Sequence, residues 1–261
     1  MEKKAKVIVS KVGTKLTAYP LPPGAKPTRA VIICPGGGYG SINTREGAPV
    51  AEDLVKRGFA AFVLEYPIAP ARYPQQVFEL ALAVKHIRAH AKAYNINPKK
   101  ITVMGFSAGG HLAATLATQW QYDYMYDFME CGGAEFRPDS VVLCYPVITA
   151  GAYANRMTFD NLLGGDMSKL DLVSLEKCVT HDCPPTFIWH TVDDDVVPVE
   201  NALLYISALR RKNISFEAHL FPKGRHGISL ATAETAGDDS SYKSAHVASW
   251  MGLAAKWIKT L

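Results

Sequence analysis

The residues Gly105 to Gly109 form a Gly-x-Ser-x-Gly motif, with Ser107 at its centre, directly after an apolar run. The motif predicts a nucleophile elbow, in which a strand turns sharply into a helix and holds the serine hydroxyl clear of the sheet. A Cβ in place of either glycine would collide with this tight turn. The first N–H groups of the helix would then face negative charge that develops beside the hydroxyl. The motif therefore indicates nucleophilic catalysis by Ser107.

The sequence also supplies a base and an acid that could activate Ser107. A serine hydroxyl is a weak nucleophile at neutral pH, so it needs a histidine base and a carboxylate that orients the histidine. Asp194 lies in the segment H-T-V-D-D-D-V-V-P, residues 190–198, and His226 lies in F-P-K-G-R-H-G, residues 221–227. Their order is the serine, acid, histidine order of nucleophile-elbow hydrolases. We therefore predict that Ser107, Asp194 and His226 form a catalytic triad.

Three adjacent aspartates compete for the role of the acid. Asp194 is favoured because two residues and then a Val-Pro pair at 197–198 follow it, a spacing common in such loops. Asp193 and Asp195 are expected to be solvated and to fix the loop through backbone hydrogen bonds.

The remaining histidines are interpreted as structural. They include His111, which a helix places about one turn below the serine hydroxyl.

A glycine-rich segment, C-P-G-G-G-Y-G at residues 34–40, follows the first predicted core strand. Three successive glycines alone are typical of a flexible loop. Together with the elbow, they predict the second half of an oxyanion hole. We place the backbone N–H groups of Gly37 and Gly38 beside that of Ala108, the residue after the nucleophile. Each such donor stabilises the transition state by roughly 2.7–4 kcal/mol.

These residues need a scaffold, and the sequence predicts a parallel one. Short β-branched runs alternate with helical periodicity, which is typical of a mainly parallel sheet with helices on both faces. The predicted strands are residues 31–34, 60–65, 101–106, 141–145, 186–190 and 216–221, and the predicted helices include residues 49–57 and 77–87. Residues 7–10 and 16–19 flank Gly13 and predict an antiparallel hairpin, and residues 20–27 predict a proline-rich connector. The fold class is α/β, and residues 1–261 are expected to form a single domain.

Composition and charge argue against several classes of protein. The formal net charge is +4, and the basic residues form no stripe with aromatics, so no nucleic-acid partner is expected. No apolar stretch approaches the roughly 20 residues that span a bilayer, and the N-terminus lacks the apolar region of a signal peptide. We therefore expect no membrane partner and a cytoplasmic location.

The five cysteines are odd in number and are expected to be reduced. Cys178, His181 and Cys183 are too cramped for a metal site, and neither a metal nor a cofactor is expected.

Two segments leave alternatives open. Residues 119–138 interleave aromatics with acids, and they fit either the amphipathic end of a helix or a cap or dimer surface. A homodimer is therefore one expectation. The preferred acyl group depends on how this segment and residues 151–183 fold over the elbow. Four aromatic residues fit either the wall of a pocket or the core: Tyr39, Tyr66, Tyr73 and Trp120.

Six short strings form a more specific pattern than the elbow alone. They are C-P-G-G-G-Y at 34–39, G-F-S-A-G-G-H-L-A at 105–113, Y-P-V-I-T at 145–149, P-P-T-F-I-W-H-T at 184–191, V-P-V-E-N at 197–201 and H-G at 226–227. Together they resemble the acetylxylan esterase and feruloyl esterase group, bacterial carbohydrate esterases of the α/β-hydrolase fold. The resemblance implies hydrolysis of acetyl, sometimes feruloyl, esters on plant cell-wall polysaccharides or the oligosaccharides released from them. Lipase-like relatives usually carry histidine where this chain has Pro35, which favours the carbohydrate esterases.

Other functions are compatible with the same scaffold. A broad short-chain carboxylesterase or a small serine peptidase would use the same triad, which serves esters and amides alike. A non-catalytic ligand-binding protein is the alternative from a different class, and it is disfavoured because all three triad candidates are present. We therefore predict a serine esterase that acts on a small-molecule or oligosaccharide ester.

Overall fold

The computed structural model of the protein describes residues 5–8, 14–21 and 28–261. Within them, eight strands form one sheet in the order β1-β2-β4-β3-β5-β6-β7-β8. The strands are β1 (Ala5–Ile8), β2 (Lys15–Tyr19), β3 (Thr28–Cys34), β4 (Ala60–Glu65), β5 (Ile96–Phe106), β6 (Ser140–Cys144), β7 (Thr186–Thr191) and β8 (Phe216–Phe221). The β1–β2 and β2–β4 pairs are antiparallel, and the other pairs are parallel. The sheet is mainly parallel, which confirms the predicted fold class.

Helices connect the strands and cover both faces of the sheet. They are α1 (Ala48–Lys56), α2 (Gln75–Ala89), α3 (Ala108–Gln119), α4 (Asp123–Met129), α5 (Arg156–Leu163), α6 (Leu170–Val173), α7 (Glu200–Arg211), α8 (Ala233–Ala236) and α9 (Ala245–Thr260). Neighbouring residues of β3 belong to different apolar clusters. Ile32 packs in the cluster that contains α2, α3 and α7, and Ile33 packs in the cluster that contains α1 and α9. Burial on both faces explains why the core strands are continuously apolar.

Strand β5, which leads to the elbow, differs from its prediction. It begins at Ile96 instead of residue 101, so Pro98 lies inside the strand. Thr28 of β3 pairs with Ile96, whereas Ala30 pairs with Ile101. The residues between the two partners on β5 therefore bulge out of the ladder, which is how a parallel sheet accommodates a proline that cannot donate.

The N-terminal strands β1 and β2 pair with each other at the sheet edge, as the hairpin prediction required. The Gly13 turn and residues 22–27 of the proline-rich connector lie outside the described residues. None of the described helices is long and apolar enough to cross a membrane.

Residues 119–138 contain α4 and pack against the scaffold. The rings of Phe78 on α2 and Phe128 on α4 are stacked with their centres 3.8 Å apart. The Tyr124 hydroxyl donates to Oε1 of Gln119 at 2.6 Å. The aromatic residues of this segment thus pack on α2 and contact the last residue of α3.

Cys178, His181 and Cys183 do not converge in the structure. Both thiols are free and buried. The imidazole of His181 lies instead beside the carboxylate of Asp182, at 3.3 Å. Across the part of the chain that the structure describes, no group of three or more His, Cys, Asp or Glu side chains is placed to hold a metal ion.

Candidate active site

The backbone at Ser107 is strained, and its neighbours hold it in place. Ser107 has φ 52° and ψ −119°, a conformation that residues with a Cβ rarely adopt. Its N–H donates to the carbonyl of Cys144 at 3.0 Å, and its carbonyl accepts from the N–H of Val147 at 3.1 Å. A Cβ on Gly105 would collide with the carbonyl of Gly109. Strand β5 thus turns into helix α3 at a tight corner that carries the Ser107 side chain.

Three side chains from three loops meet at this corner. The Ser107 hydroxyl lies 2.8 Å from Nε2 of His226, and Nδ1 of His226 lies 2.7 Å from Oδ2 of Asp194. Because a carboxylate can only accept, Nδ1 donates to Asp194, and the neutral imidazole presents an unprotonated Nε2 to the hydroxyl. The hydroxyl then donates to Nε2, which is the arrangement that a general base requires. The structure brings together the three residues that the sequence order singled out.

Asp194 is the buried member of the three adjacent aspartates. Its side chain is inaccessible to solvent, whereas Asp193 and Asp195 are exposed. Asp193 accepts the N–H of Gly224 at 2.8 Å. This bond joins the loop that carries the acid to the loop that carries the histidine.

Hydrogen bonds keep Asp194 ionised in its buried position. Its Oδ1 accepts from the N–H groups of Val196 at 3.0 Å and Val197 at 2.9 Å. Burial alone would raise the pKa of this carboxyl, but hydrogen bonds with His190 and His226 and from the backbone hold the pKa well below its usual range. The buried Nε2 of His190 lies 3.4 Å from Oδ2 and donates to the carbonyl of Val197 at 2.9 Å. The sequence indicated a structural role for His190 but not this contact with the acid.

Gly37 and Gly38 lie beside Ser107 in a loop that requires glycine. Gly37 has φ 128° and Gly38 has φ 59°, and a Cβ on Gly37 would collide with the carbonyl of Ser41. Both glycines line the same cleft as Ser107. Ala108 is the first residue of α3, where an N–H has no acceptor within the helix. Among the described residues, the N–H groups of Gly37, Gly38 and Ala108 have no hydrogen-bond partner. The assignment of these three donors to an oxyanion stays a prediction.

Glu46 is a buried acid that the sequence analysis missed. It is 1% exposed. Its Oε2 accepts the N–H of Gly36 at 2.6 Å, and its Oε1 accepts the hydroxyl of Tyr145 at 2.7 Å. Burial raises the pKa of the Glu46 carboxyl, and the two hydrogen bonds offset only part of that effect. An acid two residues before a helix that starts at Ala48 is typical of a solvated helix N-terminus. The sequence therefore held no signal for this burial.

The cleft beside Ser107 has a volume of about 270 Å³. One wall comes from residues 151–183, and that wall consists of Asn155, Met157 and Thr158. Among the described residues that line the cleft, none belongs to residues 119–138. The sequence left open whether four aromatic residues line the pocket or belong to the core. In the structure they belong to the core or pack against it: Tyr39, Tyr66, Tyr73 and Trp120. Residues 151–183 therefore contribute to the cleft, whereas residues 119–138 do not line it.

His111 is a packed histidine, as its helix position indicated. Its Nε2 donates to the carbonyl of Val173 at 2.9 Å, and its Nδ1 accepts the hydroxyl of Tyr39 at 2.9 Å. Burial lowers the pKa of His111 to about 4. The neutral ring thus ties helix α3 to the glycine-rich loop and to helix α6.

Similarity to known proteins covers most of the chain. The model of the BD-FAE family matches residues 18–209. Endo-1,4-beta-xylanase B of Butyrivibrio fibrisolvens is 40% identical over 210 residues, which cover 78% of this chain and 33% of that protein. The acetylxylan esterase of Xylanibacter ruminicola is 33% identical over 212 residues, which cover 78% of this chain and 42% of that protein. The chain spans less than half the length of these two curated relatives.

The fold is also similar to that of a solved structure over nearly its whole length. The acetyl ester-xyloside bifunctional hydrolase from Caldicellulosiruptor lactoaceticus is 33% identical, with a TM-score of 0.85. The similarity covers 99% of this chain and 96% of that chain. The two chains therefore have the same fold over nearly their whole lengths.

Proposed function

Because the chain belongs to the BD-FAE family and has the α/β-hydrolase fold, we propose that it is a serine esterase that removes acetyl groups, or alternatively feruloyl groups, from xylan-derived saccharides. The observation that supports this most is the hydrogen-bonded chain from Ser107 through His226 to Asp194 at the edge of a cleft. The names of the acetylxylan esterase and of the acetyl ester-xyloside hydrolase support the choice of substrate.

The first half of the reaction transfers the acyl group to Ser107. The hydroxyl oxygen attacks the ester carbonyl while Nε2 of His226 takes its proton. Asp194 stabilises the imidazolium that results. The oxyanion of the tetrahedral intermediate accepts from the N–H groups of Gly37, Gly38 and Ala108. His226 then gives the proton to the leaving oxygen, and the sugar alcohol departs.

The second half regenerates the enzyme with water. His226 takes a proton from a water molecule, and the resulting hydroxide attacks the acyl-serine carbonyl. The same backbone donors stabilise the second tetrahedral intermediate. When it collapses, Ser107 recovers its proton from His226 and the carboxylic acid is released. Neither half requires a metal ion or an organic cofactor.

The wall above the glycine-rich loop favours a short acyl group. The terminal methyl of Met157 lies 3.2 Å from the position that a Cβ on Gly38 would occupy. Thr158 approaches the same position at 3.7 Å. These two side chains therefore lie close to Gly38, one of the residues whose N–H groups would bind the oxyanion. An acetyl group fits beside these side chains more readily than a feruloyl group.

The other side of the cleft supports a sugar as the leaving group. Beyond His226 the surface continues between polar side chains: Asn43, Arg45, Asp195, Arg225 and Tyr242. The guanidinium of Arg45 lies 3.9 Å from the centre of the Tyr242 ring, and that of Arg225 lies 3.2 Å from the Asp239 carboxylate. This lining mixes hydrogen-bond donors with acceptors, and sugar hydroxyls act as both. Because His226 protonates the leaving oxygen, the leaving alcohol would face these side chains.

The test is release of acid from acetylated xylo-oligosaccharides, with methyl ferulate and p-nitrophenyl acetate in parallel. The intact protein is compared with Ser107→Ala and with Ser207→Ala, an exposed serine on helix α7. We expect acetate release that Ser107→Ala abolishes and Ser207→Ala retains. Preference for methyl ferulate would instead favour feruloyl groups as the acyl groups that are removed. Turnover of the aryl ester alone would indicate a short-chain carboxylesterase, and no turnover by folded protein would refute an esterase function.

A further inference from the structure

Glu46 is a buried charged group that the proposed reaction does not use. It lies between two loops that the reaction does use. The first is the glycine-rich loop at residues 34–40. The second is the histidine loop at residues 222–229. The site offers no other described carboxylate that is buried to this degree except Asp194.

One oxygen of Glu46 holds the glycine-rich loop. Its Oε2 accepts the N–H of Gly36 at 2.6 Å. Gly36 lies against the elbow, since a Cβ there would stand 2.9 Å from the Cβ of Ser107. The bond therefore fixes the residue that precedes the two predicted oxyanion donors. A shift of this residue would move the donors relative to the carbonyl that they must bind.

The other oxygen holds the histidine loop through Tyr145. The Tyr145 hydroxyl donates to Oε1 of Glu46 at 2.7 Å and accepts the N–H of Ser229 at 3.0 Å. The Tyr145 ring packs edge-on against His226, with ring centres 5.1 Å apart. The Ser229 hydroxyl in turn donates to the carbonyl of Arg45 at 2.9 Å, which closes the network.

The hydrogen-bond partners of Glu46 suit a carboxylate. The N–H groups of Gly36 and Ser229 can only donate. Since Tyr145 accepts from Ser229, its single hydroxyl proton is available for Glu46. Both oxygens of Glu46 thus receive a proton from a neighbour, and the network is complete without a proton on the carboxyl.

We propose that Glu46 is a positioning residue of the esterase reaction, which holds the glycine-rich loop and the histidine loop in register and whose negative charge stabilises the protonated form of His226. This inference rests on the proposed function. Glu46 and His226 line the same cleft. The titratable and charged groups that surround His226 are Asp194, Glu46, Tyr145, Arg45, Asp195, Arg225 and Tyr242.

The test compares Glu46→Gln, Tyr145→Phe and the wild type in hydrolysis of p-nitrophenyl acetate across pH. Glutamine keeps the shape of Glu46 but lacks its charge and one acceptor. We expect the kcat of Glu46→Gln to fall roughly 10- to 100-fold while its KM changes by less than about 3-fold. Misplaced groups reduce stabilisation of the transition state more than they reduce substrate binding. Loss of the negative charge should move the acid limb of the kcat/KM profile to lower pH by about half a unit or more.

Two other variants separate the two parts of the proposal. Tyr145→Phe keeps the charge and the ring but breaks the link to Ser229, so kcat should fall while the acid limb stays near its wild-type position. Glu135→Gln removes an exposed carboxylate elsewhere on the chain and should change neither quantity.

Three results would decide against the inference. The first is a Glu46→Gln protein with wild-type kcat. The second is a kcat loss that accompanies a lower melting temperature while the acid limb stays in place. If Glu46→Gln does not fold, wild-type kcat in Tyr145→Phe is the third. Absence of turnover in the wild type would instead refute the proposed esterase function.

Discussion

Two loops at the carboxyl edge of the sheet each bury a carboxylate, and they perturb it in opposite directions. The loop after β7 carries Asp194, whose pKa lies well below its usual range because hydrogen bonds overcome the effect of burial. The loop after β3 carries Glu46, whose pKa is raised because burial outweighs its hydrogen bonds. Both side chains are almost fully withdrawn from solvent.

The difference follows from the number and the kind of donors. Asp194 receives two backbone N–H groups and the Nδ1–H of His226, with Nε2 of His190 close by. Glu46 receives one backbone N–H and one neutral hydroxyl. An imidazole that becomes positive stabilises a carboxylate far more than a neutral donor does. The comparison shows that depth of burial alone does not decide whether the pKa of an acid is raised or lowered.

The largest effect that separates the two loops should come from Asp194→Asn. The amide of asparagine can donate to Nδ1, which would place the imidazole proton on Nε2 and remove the acceptor for the Ser107 hydroxyl. We expect kcat for p-nitrophenyl acetate to fall roughly 10,000-fold, with thermal unfolding still cooperative. Asp193→Asn, in an exposed neighbour, should cost less than about 5-fold in the same assay because that side chain only fixes the loop. Similar losses in both variants would mean that the acid has been assigned to the wrong aspartate.

A smaller effect is expected in the glycine-rich loop from Gly36→Ala. A Cβ on Gly36 would lie 2.8 Å from Oε2 of Glu46 and 2.9 Å from the Cβ of Ser107. The loop must shift, so we expect kcat to fall about 100-fold while KM changes little. Gly132→Ala is the matched control, since a Cβ there meets nothing within 4 Å. A wild-type kcat in Gly36→Ala would show that the predicted oxyanion donors do not depend on this contact.

The sequence was most informative where a motif or an apolar run specifies structure locally. The predicted strands at residues 60–65 and 216–221 have the same bounds in the structure. The fold class is confirmed. The structure also brings Asp194 and His226 to Ser107, although their roles stay predictions. Serine elbows and buried parallel strands are encoded in consecutive residues, so a single sequence displays them.

The sequence was least informative about polar groups that only the folded chain buries. Glu46 and His190 depend on partners distant along the chain, namely Tyr145 for the first and Asp194 for the second. The role of residues 151–183 as a cleft wall is equally a product of tertiary packing. Periodicity and spacing carry no record of such contacts, because each partner lies on a different element.

The opposite pKa shifts of Asp194 and Glu46 should produce opposite pH effects on stability. A carboxyl with a lowered folded-state pKa stabilises the fold above its unfolded pKa, near 4, and loses that contribution as pH falls through the folded value. A carboxyl with a raised folded-state pKa favours the fold below its unfolded pKa and loses that contribution as pH rises through the folded value.

Relative to the wild type, Asp194→Asn should therefore become less stable as pH rises, by about 2 kcal/mol at pH 7. Glu46→Gln should instead gain on the wild type as pH rises above the unfolded-state pKa of a glutamate, about 4.3. Urea unfolding of the three proteins at several pH values measures both trends, and parallel curves for the two variants would contradict the contrast between the two loops.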